Sequence, residues 1–195
     1  LFAGDLMLAD GPGRTIAAGG DPLAPFAAIL NQADYRIGNL EVPVATSGKP
    51  HASKIVSFRA DPRVVSALHG RFDAVSLANN HSGDYGHDAF SETMRHLDQT
   101  GIAYFGGGRN LAEAHKPLWI ERKSLKIAVL GYNEFKPRAF AAGPDWPGIA
   151  WSEEAPLAYL NGKLYARGES VAGLLIERIE RDRVLLTGAG GRIAL

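Results

Sequence analysis

The sequence has no cysteine. That excludes a disulfide, a thiolate metal site and a cysteine nucleophile, and it leaves any metal to His, Asp, Glu, Asn or backbone oxygen. There is no charge excess either. The 21 lysines and arginines balance 21 aspartates and glutamates, so no global field draws the chain to nucleic acid or to an anionic membrane. Apolar runs stop at strand length, so no membrane span is expected. The six histidines all fall at or before His115, which leaves the chain beyond it without an imidazole. Leu1 rather than methionine stands first, and an upstream segment is expected to have been removed.

What is present is enough for a substantial core: 195 residues, 46% of them hydrophobic and 22% charged. The most informative stretch runs from Ala74 to Gly86. An apolar strand, Ala74 to Ala78, stops at Asn79-Asn80-His81, and Gly83 and Gly86 then lead into a helical pattern. Two amides and an imidazole at a strand end, in a glycine-rich loop, suit ligation or proton transfer. The competing reading is a polar turn in which His81 caps the next helix.

The same design recurs. Leu1 to Ala3 leads into Gly4-Asp5, Tyr35 to Gly38 leads into Asn39-Leu40-Glu41, and Lys126 to Tyr132 ends in Asn133-Glu134. Pro43 keeps the second of these from continuing as a central strand. Helices are expected over 23–31, after Asp61-Pro62, over 87–99 with Phe90, Met94 and Leu97 on one face, and over 111–115. Asp10-Gly11-Pro12-Gly13 reads as a turn and residues 44–57 as a surface loop. Gly106-Gly107-Gly108 lacks the lysine and serine or threonine of a P-loop and reads as a close-approach turn beside a site. His51, His69, His87, His96 and His115 read as solvated or capping. Trp119, Trp146 and Trp151 read as packing or rim residues, since no basic patch accompanies them.

Strands alternating with helices as far as residue 134 predict an α/β domain with ligands at strand ends. Residues 136–156, rich in proline and glycine, read as an irregular connection. Beyond them, closely spaced turn signals predict a small all-β module. In such a sheet the strand ends converge, so Asp5, Asn39 with Glu41, Asn80 with His81, and Glu134 can share one site. Hard oxygen ligands with imidazole suit Mn²⁺, Mg²⁺, Zn²⁺ or Fe²⁺.

Four stretches carry a resemblance: Gly4 to Leu8, Gly38 to Pro43, Ser76 through Gly86, and Tyr104 to Ala114. They resemble the poly-gamma-glutamate capsule biosynthesis family called CapA, which is similar to calcineurin-like metallophosphatases. The resemblance implies that residues 1–154 form a partial metallophosphatase sandwich, apparently truncated, followed by the β module over 155–195. It implies a metal-dependent phosphoesterase-like hydrolase acting on a phosphoester-like or amide-like substrate, such as a cell-envelope polymer. Asp5, Glu41 and Asn80 would then hold the metal, and His81 would be the acid or transition-state donor. Asn39, Asn79, Asp84 and Glu134 would contact substrate or support the ligands. Met7 stands where metallophosphatases carry a histidine, and no histidine follows His115, so a dinuclear centre would be incomplete. That departure keeps a second reading open, a non-catalytic binding or assembly module or a partial gene product. Residues 161–186 resemble small β domains of type II secretion assembly proteins. Envelope location is implied by the resemblance alone.

Overall fold

A computed structural model describes the chain except for residues 53, 136–137, 153–156, 162 and 180–182. It divides into two compact units, Leu1–Trp151 and Ser152–Leu195.

In the first unit, β1 (Phe2–Asp5), β2 (Ile37–Asn39), β3 (Ala74–Ser76) and β4 (Ala103–Phe105) lie side by side in that order, all parallel. Parallel neighbours need long crossovers, and helices supply them. They are α1 (Asp10–Ala17) and α2 (Ala27–Leu30) after β1, α3 (Val64–Leu68) after β2, and α4 (Gly86–Thr100) after β3. The register aligns Asp5 with Asn39, Asn39 with Ser76, and Ser76 with Phe105. All four carboxyl ends therefore finish on one edge.

The two-residue period of the strands sorts the core. Val75 and Tyr104 face the cluster built with Leu68, Phe90, Met94 and Leu97 from the helices. Ile37, Ala74 and Phe105 face the other way. There they meet Ile120, which belongs to an antiparallel hairpin of β6 (Leu118–Arg122) and β7 (Leu125–Val129). Between β4 and that hairpin lie β5 (Gly107–Gly108) and α5 (Leu111–Ala114), the latter capped by Asn110, whose Oδ1 accepts from Glu113 N at 2.9 Å. β5 pairs with β8 (Gly148–Ile149).

Several expectations change. Asp10-Gly11-Pro12-Gly13 opens α1 instead of forming a separate turn, because a proline in the first turn displaces only an N–H with no intrahelical partner. The expected helix over 23–31 is a short 3₁₀ turn, Ala24–Phe26, running into α2. β1 is an edge strand and is largely exposed, Phe2 at 73%. Residues 44–57 are not wholly a surface loop, since Val44 and Ala45 are buried. His115 is buried, with Nδ1 3.4 Å from Tyr132 Oη. Trp151, by contrast, is buried as a packing residue, as expected.

Of the glycine triplet only Gly106 makes the expected close-approach bend, since Gly107 and Gly108 form β5. Gly106 adopts φ +73°, and a Cβ there would press on Ala78 and Gly131.

The second unit is antiparallel throughout its described strands. β9 (Leu157–Leu160) and β10 (Lys163–Ala166) form a hairpin. β11 (Ser170–Val171), β12 (Leu174–Ile179), β13 (Val184–Gly188) and β14 (Gly191–Ala194) form a meander around Val171, Ile176 and Leu186. The β11–β12 turn places Ala172 and Gly173 both at positive φ, the backbone that a two-residue hairpin requires. No helix among the described residues is long and apolar enough to cross a membrane.

Candidate active site at the strand ends

Asp5 closes β1 and Asn39 closes β2, and their side chains meet across the register. Asn39 Nδ2 donates to Asp5 Oδ1 at 2.9 Å and also to Glu41 Oε2. One amide thus holds two carboxylates side by side. Burial pushes the Glu41 carboxyl above its ordinary range, and the Asp5 charge adds to the rise; His81, the Asn39 hydrogen bond and Lys54 pull the other way.

Behind these acids, Asn79 is 5% exposed and fully engaged. Its Nδ2 donates to Asn39 Oδ1 at 3.0 Å and to the Leu40 carbonyl at 2.9 Å. Its Oδ1 accepts from His81 N, Ser82 N and Ser82 Oγ at 2.9 to 3.0 Å. Asn79 therefore ties the β2 end to the turn that carries Asn80 and His81. Among the described residues, the Asn80 side chain itself makes no hydrogen bond.

His81 Nδ1 lies 2.9 Å from Asp84 Oδ2, and Asp84 is completely buried. Lys54 Nζ donates to Asp84 Oδ1, and Phe58 N donates to Asp84 Oδ2 at 2.7 Å. The Phe58 ring sits 4.9 Å from the His81 ring. Glu134 is exposed, and it is not delivered by the parallel sheet as expected, because among the described residues β7 pairs only with β6.

Asp5, Asn39, Glu41, Asn79, His81 and Asp84 are thus linked into one neighbourhood. Two carboxylates with a half-exposed amide beside them suit a hard cation, since each carboxylate raises the cost of charging the other. No group of three His, Cys, Asp or Glu able to hold a metal occurs among the described residues.

A profile of the bacterial capsule synthesis protein PGA_cap family matches residues 1–183. The chain belongs to the PGA_cap family. It is 28% identical over 157 residues to the PGA biosynthesis protein CapA of Bacillus subtilis, covering 76% of this chain and 40% of that protein. It is 30% identical over 118 residues to the capsule biosynthesis protein CapA of Bacillus anthracis, covering 58% of this chain and 28% of that protein. It is 31% identical over 121 residues to a probable polyglutamine synthesis accessory protein of Mycobacterium tuberculosis, covering 60% of this chain and 32% of that protein. The chain therefore spans well under half the length of these relatives. The PGA_cap match continues through most of the second unit, where a likeness to secretion assembly proteins was expected; nothing found supports that second likeness.

Sequence reading of this PGA_cap member missed Lys54 and Phe58. Both sit in a stretch without periodicity, and only the fold brings them against Asp84. It also missed Glu92, whose buried carboxylate accepts from Thr46 N, Thr46 Oγ1, Ser47 N and Ser47 Oγ. Glu92 stands two residues from both Phe90 and Met94, on the side of α4 away from their apolar face, so the helical pattern gave no signal of its burial.

Proposed function

We propose that this PGA_cap member is a metal-dependent, phosphoesterase-like hydrolase of capsule or poly-gamma-glutamate biosynthesis, built on a metallophosphatase-like sandwich. The observation that carries the reading is the Asn39 amide holding Asp5 and Glu41 together beside the His81–Asp84 pair. Asp5, Glu41 and Asn80 would hold one divalent cation, whose charge would polarise a phosphoryl oxygen. Asp84 accepts at His81 Nδ1 and so leaves Nε2 to carry the proton that a departing oxygen needs. Phe58, packed on the ring, limits water at that face. The substrate class is a phosphoester-like or amide-like group of the cell envelope.

Metal content and turnover of a generic phosphodiester test this together. Stoichiometric Mn, Fe, Zn or Mg is expected, with His81→Ala lowering kcat by about 10²-fold or more. Protein without such a metal, and with hydrolysis unchanged in His81→Ala, would end the proposal.

A second reading is a non-catalytic binding or assembly module. It is favoured by the lack, among the described residues, of any group of three His, Cys, Asp or Glu placed to hold a metal. Robust metal-dependent turnover by this chain would exclude it.

A further inference from the structure

Asp84 is fully buried, and its two oxygens serve different partners. Oδ2 faces His81 Nδ1 at 2.9 Å and accepts from Phe58 N at 2.7 Å. Oδ1 is taken by Lys54 Nζ, which also donates to the Asn80 carbonyl at 2.7 Å. A carboxylate removed from water needs a full set of donors to keep one orientation. An imidazole and one backbone amide satisfy a single oxygen and leave the other free to swing.

The loop that delivers Lys54 is pinned at both ends. At one end Glu92 holds Thr46 and Ser47. At the other, Ala60 N donates to the Pro43 carbonyl at 2.9 Å and Ala45 N donates to the Ala60 carbonyl at 3.1 Å. Midway, His51 N donates to the Asp84 carbonyl at 2.8 Å. The long lysine stem, only 13% exposed, reaches inward to Asp84.

We infer that Lys54 is a positioning residue for His81: by holding Asp84 Oδ1 and the Asn80 carbonyl, its ammonium fixes the carboxylate that orients the imidazole and leaves Nε2 turned away from Asp84. The assignment rests on the reading of His81 as proton donor given above. Lys54 Nζ is 3.4 Å from His81 Nδ1, so the ammonium and the ring stand side by side on one carboxylate. A histidine oriented through a carboxylate, with that carboxylate oriented in turn, follows the general logic of positioned acids and bases.

The test uses the full chain labelled with ¹⁵N-histidine, in wild-type form and as Lys54→Arg, Lys54→Gln and Lys54→Met, each checked for a cooperative thermal transition. The His81 ring nitrogens are read by NMR, and kcat and KM are measured on a generic phosphodiester. Wild type is expected to show one ordered ring state, with Nδ1 protonated on Asp84 and Nε2 carrying the proton that the donor role requires. Arg, which keeps the charge, should retain it, whereas Gln and Met should show averaged ring nitrogens and a kcat about tenfold or more lower at nearly constant KM. Should Met fail to fold, Gln decides the matter, because it keeps a donor without the charge. Any folded Gln or Met variant with the wild-type ring pattern and wild-type kcat overturns the inference. The ring spectrum does not depend on turnover, so a wild type that hydrolyses nothing would remove the proposed function while the ring nitrogens still decide the role of Lys54.

Discussion

Asn79 donates its side-chain amide to Asn39 Oδ1 at 3.0 Å, and that bond decides which way the Asn39 amide faces. With its oxygen occupied, Asn39 turns its nitrogen to Asp5 and Glu41. The order of the acids at the mouth of the site is therefore set by a buried side chain one layer behind them. Asn79→Ala should strip partners from the Leu40 carbonyl and from His81 N and Ser82 N at once. A loss of about 3 kcal/mol in urea unfolding is expected, from groups worth about 1 to 3 kcal/mol each when left unpaired. A loss within experimental error would show that water replaces the amide.

Gly83 should tolerate no side chain. A Cβ there would enter the Phe140 ring, which itself packs edge-on against Phe90 at 5.3 Å and stacks with His87 at 4.9 Å. Gly83→Ala is expected to cost about 1 to 3 kcal/mol by overpacking. The smaller Phe140→Leu ring replacement, combined with it, should recover part of that loss, as a double-mutant cycle on unfolding midpoints would show.

Acid should release the loop start at Thr46 and Ser47. Burial alone would raise the Glu92 carboxyl, but the hydrogen bonds from Ser47 and Thr46 outweigh it and bring it down to about 2 from the ordinary 4.5. The folded state then binds this proton later than the unfolded state as pH falls. The contribution of Glu92 is complete above about 4.5 and is lost as pH falls toward about 2. Urea midpoints across that range should fall for the wild type. For Glu92→Gln they should start lower at neutral pH and lack this component of the acid slope.

Cation binding should depend on both strand-end acids. In calorimetric titration with Mn²⁺, Asp5→Asn and Glu41→Gln are each expected to weaken binding by about tenfold or more, because each removes one of the two proposed anionic ligands. Glu134→Gln, placed outside the parallel sheet, should leave it unchanged. Equal losses for all three variants would mean that bulk charge rather than the strand-end geometry draws the cation.

Much of the strand-end design could be read from local pattern. Apolar runs that stop on Asp5, on Asn39-Leu40-Glu41 and on Asn79-Asn80-His81 announce strands with polar ends, and parallel pairing then makes those ends neighbours. The helical face of Phe90, Met94 and Leu97 was equally legible, because burial on one side of a helix imposes its own period. Where periodicity fails, so did the reading. Pro12 looked like a turn former and lies in the first turn of α1, and Glu134 looked like the fourth strand end and is carried by a segment outside the parallel sheet.

What the sequence determined alone is the inventory: which residue types arrive at the ends of which strands, the lack of cysteine and of late histidines, and membership in a family recognisable by its motifs. What only the tertiary structure decided is the wiring between them. That Asn39 joins Asp5 to Glu41, that Asn79 orients Asn39, and that Lys54 reaches Asp84 are contacts between residues far apart in the chain. Sequence pattern reports period and burial along one element. Hydrogen bonds across a sheet edge depend on register and on where a loop returns, and those are fixed only when the whole core closes.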